Sequence, residues 1–482
     1  MQAGIPSTFN TSLSFSLKTS LRPATLDWVG VSRKTCLLKK LASLWRSDFH
    51  AKPIFEDTVA GPFYERFPWT QSVKCGFWWM WADGNLLIRS CDGNVELSRT
   101  WRTHSLSSQY QFLRSVIVDP LQDLVVTVFT FSLGTFYVPP RQDHHIFTVE
   151  FRLASSQLPY TDSECTSLEC KHVFNKPGYY LLHLLGHPAI CGDRVVVLYY
   201  LNLRLTGKLF IRVIDWRTGH AKSYRLRDPV GPKSNFHLVD EQTIVLIGEQ
   251  GHLALYTLHE LDGSPQHRAT YLLPDLQRGF QPEFVVHATP LFHGTAARPD
   301  LIPGYVPSLE SQIMVLEVLS DTWPVILVID MVIFSSQVIH SDIPNEIPWS
   351  DWGSQYTRCF PHHPSHRISV FGNKMAYILP RDCIPEHGAA VETSSDNQDH
   401  FYVHIWDFNK RAIARAENDH DRSSPDPLIR TPGQLTRSCF VGNIISNHPY
   451  TATDRLILSW LTDHSLRIQV VCPAVDTDLA ME

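Results

Sequence analysis

Three histidines within five positions, His362, His363 and His366, form the pattern in this 482-residue sequence that is best suited to metal chemistry. Neutral imidazoles bind Zn²⁺ or Cu²⁺, but a fixed site needs its ligands held on regular structure. Here Pro364 interrupts the run, and Cys359 is the one nearby candidate for a fourth ligand. The pattern therefore indicates a solvated histidine loop, and we predict no metal ion.

Motifs for catalysis or cofactor binding are missing from the sequence. Gly248-Glu249-Gln250-Gly251 lacks the Gly-Lys-Ser/Thr ending that cradles phosphate, and no Gly-x-Ser-x-Gly nucleophile elbow occurs. The His144-His145 pair beside Asp143 is a less complete metal-like pattern than the first. We predict no catalytic residues, no cofactor and a non-enzymatic protein. An enzyme that uses convergent carboxylates or histidines in a central channel is the alternative.

The composition is that of a folded chain, and it does not suggest a charged partner. The sequence is 43% hydrophobic, 11% aromatic and 19% charged, which excludes disorder throughout. A net charge of −6 favours neither nucleic acid nor a membrane as partner. The ten cysteines show no CxxC pair and indicate buried thiols in an intracellular compartment, cytoplasmic or nuclear. A Cys165–Cys170 bridge is the alternative for a secreted protein.

Short β-branched and aromatic runs, separated by Gly, Asp, Asn and Pro turns, dominate from about Pro62 onward. Asp119–Asp123 predicts the turn of a hairpin, because Pro120 fixes φ and Asp119 can accept from the backbone two residues on. Ala189–Trp216 predicts a meander of strands and turns, and Phe236–Leu258 predicts another. The rhythm indicates a mainly β fold.

Two predicted strands end alike, Ile211–Trp216 and Tyr402–Phe408, each with an aromatic residue beside an aspartate. The pattern resembles degenerate, WD-like Trp-Asp closures of propeller blades, in which a large ring fills the wedge between adjacent sheets. At about 40–60 residues per blade, residues 60–475 predict an irregular β-propeller of six to eight blades. A pair of β-sandwiches is the structural alternative.

Two aromatic groups could contact a partner protein. Phe77–Trp81 fits a strand buried on both faces, with an exposed peptide-binding ledge as the alternative. Trp349 and Trp352 lie in a Pro-rich connection, and two roles are open for them: contact with a partner protein, or burial in the fold. Six polar or Pro-rich segments are predicted as loops: 138–145, 157–171, 261–268, 294–307, 382–400 and 417–433.

The pattern changes before residue 53. Residues 1–25 predict a disordered leader, and residues 26–52 predict a short helical segment, because apolar residues recur there at spacings of three and four. A helix this short must cover its apolar stripe against another surface. The stripe contains Val31, Leu37, Leu38, Leu41, Leu44 and Trp45.

Val31-Ser32-Arg33, Leu41-Ala42 and Leu44-Trp45-Arg46 resemble the C-terminal half of an F-box. Downstream, Gly192–Val195 and Asp215–Gly219 are similar to the β-propeller-like region of F-box-like proteins of mushroom-forming (basidiomycete) fungi. The resemblance implies a degenerate or truncated F-box, since an opening half is not recognisable. It implies that the apolar stripe contacts a Skp-type adaptor of a cullin ubiquitin ligase.

The sequence therefore predicts a non-enzymatic protein-interaction scaffold. The resemblance implies a substrate-recognition subunit of a cullin-type ubiquitin ligase that binds an unidentified target protein. The alternative is a free-standing propeller scaffold unrelated to ubiquitin transfer, in which Val31–Trp45 is a helix packed on the first blade.

Overall fold

A computed structural model of the chain shows a mainly β fold, as the sequence predicts, with strands numbered β1–β31 in chain order. The predicted adaptor-binding stripe lies outside the described residues. The structure describes residues 21–23, 55–60, 70–74, 76–82, 84–90, 98–102, 112–131, 135–139, 143–160, 165–174, 177–203, 206–226, 233–258, 263–274, 283–291, 305–319, 324–335, 345–361, 368–380, 401–408, 440–445, 455–462 and 465–471.

Three antiparallel sheets, called blades 1 to 3, follow one another along the first half of the chain. Blade 1 contains β3 (Thr70–Lys74), β4 (Phe77–Ala82), β5 (Asn85–Ser90) and β6 (Arg99–Arg102). Blade 2 contains β7 (Phe112–Asp119), β8 (Leu124–Thr130), β10 (Asp143–Leu153) and β11 (Ser167–Val173). Blade 3 contains β9 (Thr135–Val138), β12 (Gly178–Cys191), β13 (Arg194–Leu203), β14 (Thr206–Asp215) and β15 (Ala221–Arg225).

Blades 4 and 5 have the same plan with added segments. Blade 4 contains β16 (Asn235–Leu238), β17 (Thr243–Gly248), β18 (His252–Thr257), β19 (Gln266–Leu272) and β24 (Asn345–Ile347). Blade 5 contains β20 (Glu283–Ala288), β22 (Ile313–Leu319), β23 (Val325–Asp330) and β25 (Thr357–Pro361). Beside it, β1 (Leu21–Pro23) pairs with β21 (Tyr305–Pro307). Among the described residues, the helices are α1 (Trp349–Tyr356) and the 3₁₀ turns Pro120–Gln122, Leu309–Ser311 and Met331–Phe334.

Two further sheets complete the described architecture. Sheet 6 contains β26 (Ile368–Phe371), β27 (Lys374–Pro380) and β28 (Phe401–Asp407). Sheet 7 contains β29 (Phe440–Ile445), β30 (Arg455–Thr462), β31 (Ser465–Val471) and β2 (Phe55–Ala60). Blades 1 to 5 make five blades, slightly fewer than the six to eight predicted.

The sheets are arranged in a ring, which identifies the fold as a β-propeller. The inner strands of successive sheets contact one another, in the order β7, β12, β16, β20, β26, β29 and β3. Strand pairing also connects distant parts of the chain in sheet 7, because β2 pairs antiparallel with β31 from Phe55↔Val470 to Ala60↔Ser465. A closed arrangement of short sheets leaves only short, protected edges.

The hydrophobic core is divided among the gaps between neighbouring blades. Separate clusters of buried side chains lie between blades 1 and 2, 2 and 3, 3 and 4, 4 and 5, and between blade 5 and sheet 6. Strands such as Leu124–Thr130 are buried along their whole length, because both faces of the sheet are covered. Phe77–Ala82 is covered in the same way, which confirms the buried interpretation of this aromatic run.

Both strand-end aromatic residues fill gaps between sheets, as predicted. The Trp216 ring of blade 3 lies 4.8 Å from Tyr160 and 6.4 Å from Phe151, which both belong to blade 2 or its loops. The Trp406 ring of sheet 6 lies 4.5 Å from Phe360 of blade 5. The closure pattern therefore identified wedge-filling residues correctly.

Several segments predicted to be irregular differ from the structure. The segment 138–145 contains the end of β9 and the start of β10, 157–171 and 261–268 contain the starts of β11 and β19, and 294–307 ends with β21. The Pro-rich connection at Trp349 forms helix α1 rather than a loop. Three leader residues, Leu21–Pro23, form β1. In each case pairing or packing with a distant segment supplied the hydrogen bonds or apolar contacts that local composition did not indicate.

The ring has two faces, which we define by strand β12. Its first residue, Gly178, marks the upper face, where the outer strand of one blade leads into the inner strand of the next. Its last residue, Cys191, marks the lower face, where the first and second strands of a blade are joined. Because neighbouring strands are antiparallel, the β8–β10 connection also lies at the upper face.

Candidate protein-binding surface

Most of the exposed large apolar side chains lie together at the upper face. Among the residues whose side chains are described, six large hydrophobic residues are exposed: Phe112, Phe131, Tyr137, Leu158, Val173 and Tyr179. All except Leu158 lie at the upper ends of blades 2 and 3, and we call these five the upper patch. Exposed apolar side chains that gather at one place mark interaction sites, whereas scattered ones need no explanation.

Strand positions place the members of the patch at one end of the two blades. Phe112 begins β7, Phe131 follows the last residue of β8, and Val173 ends β11. Tyr179 is the second residue of β12, and its register partner on β9 is Tyr137. The two tyrosine rings meet edge to face with 5.3 Å between centroids. They are 55% (Tyr137) and 68% (Tyr179) exposed, so both rings are open to solvent.

Strand β9 links blade 2 to blade 3. It lies in the connection between β8 and β10 of blade 2, but it pairs with β12 of blade 3 from Thr135↔Leu181 to Val138↔Gly178. Its exposure alternates, with Thr135 and Tyr137 outward and Val138 fully buried. This alternation presents Tyr137 to solvent while the opposite side chains hold the strand on the blade.

Phe136 anchors β9 from the half-buried side. Its ring stacks on His144 of β10 with 4.9 Å between centroids and 7° between planes. It also lies 6.1 Å from Phe174 and 6.3 Å from Tyr180. These contacts reach both blades, so the orientation of the exposed Tyr137 depends on aromatic packing beneath it.

Two more histidines lie in the same layer. His172 of β11 pairs in register with His144, and its ring lies 4.7 Å from Phe174 and 5.0 Å from Phe210. The His145 ring meets Phe131 edge to face at 4.3 Å. Each histidine thus contacts an aromatic side chain that forms or supports the upper patch.

Burial lowers the pKa of each of these histidines. For His144 burial is the sole cause, and for His172 the nearby Lys208 lowers the pKa further. For His145 burial outweighs a hydrogen bond to the Phe147 carbonyl and the charge of Glu169, which raise the pKa. The cluster is therefore uncharged at neutral pH, which suits rings packed among aromatic side chains.

Polar side chains surround the patch without giving it one sign of charge. Asp143, Glu169, Lys171 and Lys208 are all exposed. Glu169 and Lys171 form an ion pair at 2.9 Å on the outer strand of blade 2. An apolar centre with a mixed polar rim is the usual composition of a protein–protein interface.

The two tryptophans predicted to bind protein occupy a different part of the ring. Helix α1 brings Trp349 and Trp352 together at 5.0 Å, between blades 4 and 5. Trp352 is 2% exposed, and its Nε1 donates to the Leu272 carbonyl at 3.1 Å. Trp349 is half-buried and packs over Gly353. Trp352 thus secures the helix, and a contact with a partner stays a prediction for the Trp349 side.

Other predicted chemical features have separate outcomes. The His362–His366 run lies outside the described residues, and the part of the chain that is described holds no group of three metal-binding side chains. Cys165 and Cys170 are both free thiols, so the alternative disulfide is absent. None of the described helices has the length and apolar character needed to cross a membrane.

Comparisons with known proteins identify no family. No family model matches the chain, and no curated protein matches it. Among solved structures, the C-terminal WD40 domain of Sif2 is similar with a TM-score of 0.36 and 9% identity, covering 89% of this chain and 99% of that domain. The β-propeller domain of Cps50 (Swd1) from Myceliophteria thermophila gives 0.36 and 10%, covering 87% and 100%. The propeller assignment rests on the strand topology of this chain.

Sequence reasoning missed the upper patch. Tyr137 directly precedes the predicted loop 138–145, and Tyr179 lies in a stretch for which the sequence predicts no element. The pairing of β9 with β12 joins residues 40 or more positions apart, and no local pattern indicates it. Exposed aromatic residues next to a predicted break, such as Tyr137 before Pro139, were the available hint.

Proposed function

We propose that this chain is a non-enzymatic propeller scaffold that binds a partner protein through the upper patch. The observation that carries the proposal is that, among the described residues, five of the six exposed large apolar side chains gather at one end of two neighbouring blades. Tyrosine supplies a large contact area at a low entropic cost, because it has only two side-chain torsions. The chemistry of such a surface is positioning rather than bond making.

The support beneath the patch favours a preformed binding surface. Tyr137 and Tyr179 lie on strands that are paired with each other, and Phe136 packs between them and the histidine layer. Rigid aromatic side chains on regular structure lose little freedom on binding. We therefore expect a partner to bind without rearrangement of blades 2 and 3.

We further propose that the scaffold is an intracellular substrate-recognition subunit of a cullin-type ubiquitin ligase, on the resemblance of residues 31–46 to half of an F-box. The ring topology supports this arrangement. Before the segment, Leu21 of β1 pairs with Pro307. The Pro307 Cγ lies 3.4 Å from the position that a Cβ on Gly372 would take, and Gly372 is in the turn between β26 and β27 at the lower face. After the segment, Phe55 begins β2 at the lower face.

The Leu21–Pro307 pair of β1 and the first residue of β2, Phe55, thus lie on the side opposite the upper patch. In this proposal the adaptor and the target contact different faces of the ring, so that both can be bound at once. In this proposal sheets 6 and 7 are further blades, within the predicted range of six to eight. The second candidate is a free-standing propeller scaffold that uses the same patch outside ubiquitin transfer.

A binding experiment with matched variants tests the patch. Proteins captured on the immobilised full chain are quantified by mass spectrometry, and the most enriched one is purified for affinity measurement. Tyr137→Ser with Tyr179→Ser should weaken its binding about thirtyfold or more, since hot-spot residues contribute about 2 kcal/mol or more. The control is Leu158→Ser, which removes an equally exposed apolar side chain from the lower face.

The control should bind like the unaltered chain. Equal affinity of the double variant and the unaltered chain would show that the patch is not the binding surface.

Adaptor binding separates the two candidates. The full chain is mixed with a purified Skp-type adaptor, with Leu41→Asp/Trp45→Ala as the disrupted variant and Lys40→Ala as the control. Micromolar binding lost only in the disrupted variant supports the ligase subunit, and no binding supports the free-standing scaffold.

A further inference from the structure

The supporting layer of the upper patch contains three ionisable rings. His144 and His172 occupy directly opposed positions on β10 and β11, and His145 is next to His144. Their rings contact Phe136, Phe174 and Phe131 at centroid distances of 4.9, 4.7 and 4.3 Å. Proton uptake at these positions places charge where the structure has aromatic faces and edges.

We propose that the His144–His172 pair makes the upper patch sensitive to pH, so that proton uptake below neutrality loosens β9 and the tyrosines it presents. The inference rests on the proposed function for its consequence, since it concerns regulation of that same surface. The structural event itself, the loosening of β9, is independent of any partner.

The geometry explains why a charge acts on β9. Neutral His144 stacks flat on Phe136, the ring that anchors β9 to blade 2. When His144 and His172 are both protonated, two like charges stand on opposed cross-strand positions, an arrangement that destabilises a sheet. Half-buried imidazolium groups also lose hydration, so the rings gain by moving toward water. Phe136 and the strand that carries it then lose the stacked one of their packing partners.

Charged neighbours decide which histidines act as the sensor. Glu169 favours the charged form of His145, whereas Lys171 and His144 disfavour it, and His145 also bonds the Phe147 carbonyl at 2.9 Å. Lys208 lies near His172, and its positive charge disfavours protonation of the His172 ring. Asp143 is exposed at the start of β10 and acts on Lys171. On β12, burial raises the pKa of Tyr180, so it stays neutral.

The direction of the pH effect follows from burial. Each of these histidines has an ordinary pKa of 6.5 that is lowered in the folded protein. The unfolded or locally opened chain therefore binds more protons, and the stabilisation by neutral rings is complete above 6.5. It is lost as the pH falls from 6.5 through the lowered values. A closed β9 is expected at pH 7.5 and an opened one at mildly acidic pH.

Hydrogen–deuterium exchange on the full chain measures this opening directly. Exchange of peptides that cover 135–139 is compared between pH 7.5 and pH 5.5, after correction for the intrinsic rate, with β17–β18 peptides as an internal reference. Protection of β9 should fall about fivefold or more at the lower pH, the size expected for a coupling between two sites. The reference peptides should keep their protection.

Variants assign the effect to the histidine pair. His144→Phe with His172→Phe keeps the aromatic packing without a titrating nitrogen, and it should make β9 protection independent of pH. The control His220→Gln removes an exposed histidine in the β14–β15 turn and should leave the pH dependence intact. Nuclear magnetic resonance titration of the histidine ring protons in the unaltered chain provides a measurement that needs no variant.

The outcomes separate this inference from the proposed function. Protection of β9 that is equal at the two pH values in the unaltered chain, or equally pH-dependent in the double variant, overturns the sensor. Ring-proton titration of His144 and His172 at or above pH 6.5 also overturns it. A pH-dependent β9 in a chain whose patch variants bind every captured protein normally supports the sensor and contradicts the proposed binding role.

Discussion

The Lys74 ammonium nitrogen lies 2.7 Å from a carboxylate oxygen of Asp119, and this buried pair joins the inner strands of blades 1 and 2 at the lower face. Asp119 also accepts from the Leu121 backbone at 3.1 Å and from the Gln122 side chain at 3.2 Å. Gln122 in turn donates to the Gly192 carbonyl of blade 3 at 2.7 Å. A single carboxylate thus organises the contacts of three consecutive blades.

Removal of this carboxylate should strongly destabilise the propeller. Asp119→Ala leaves the buried Lys74 ammonium without its partner and removes the cap of the turn, and we expect a loss of about 3–5 kcal/mol in unfolding free energy. Denaturant unfolding followed by circular dichroism measures the change. The control Glu169→Ala breaks the exposed Lys171 pair and should leave the midpoint unchanged.

A double substitution shows whether charge burial is the cause. Lys74→Met with Asp119→Leu removes both charges and should recover part of the stability lost in Asp119→Ala, since apolar replacement of a buried pair is often tolerated. If Asp119→Ala unfolds at the same denaturant concentration as the unaltered chain, the lower-face network does not hold the blades together.

Truncation of Trp216 should open the gap between blades 2 and 3. Its ring is fully buried, and its Nε1 donates to the Gly192 carbonyl at 3.2 Å. Trp216→Ala should cost about 3–5 kcal/mol because the surrounding blades cannot collapse into the cavity. Trp216→Phe, which keeps most of the ring contacts with Tyr160, should cost clearly less. Equal losses in the two variants would show that the ring does not fill the gap.

The sequence predicts the parts of this fold that depend on local chemistry. Asp119 caps its turn through the backbone two residues on, as the Asp-Pro pattern indicates. Trp216 fills a gap between sheets, as its place at a strand end beside Asp215 indicates. Turn geometry and strand alternation are set by neighbours in sequence, so a single sequence is enough to predict them.

The sequence does not predict features that depend on distant pairing. Strand β12 has 14 residues, from Gly178 to Cys191, whereas the predicted meander begins only at Ala189. Gly186 takes a φ of +62° at the point where the β12–β13 register shifts, so the strand continues past it as a bulge. The upper patch depends on the pairing of β9 with β12, which no local pattern encodes.

The inner strand of blade 4 contains a histidine that should respond to acid. Burial lowers the pKa of His237 to about 4, and its buried Nε2 has no hydrogen-bond partner among the described residues. Because the unfolded chain has the ordinary pKa of 6.5, stability is full above 6.5 and falls as the pH decreases from 6.5 toward 4. His237→Leu should therefore flatten this acid decline while changing stability little at pH 7.5.

Thermal unfolding at several pH values measures the effect of His237→Leu. The exposed His220 provides the comparison, since His220→Leu should leave the acid decline as it is in the unaltered chain. An unchanged decline in His237→Leu would show that other groups carry the acid sensitivity of the fold.

Loss of the Phe136 ring should release β9 without unfolding the propeller. β9 has four residues and pairs with β12 at the margin of blade 3, so its cooperative link to the core is weak. Phe136→Ala removes the stacking on His144 and the contacts with Phe174, and protection of residues 135–139 from hydrogen exchange should fall sharply. The global unfolding midpoint should fall much less than in Trp216→Ala. Phe136→Leu, which keeps apolar contact, should retain most of the protection, and a midpoint loss in Phe136→Ala equal to that of Trp216→Ala would place β9 inside the cooperative core.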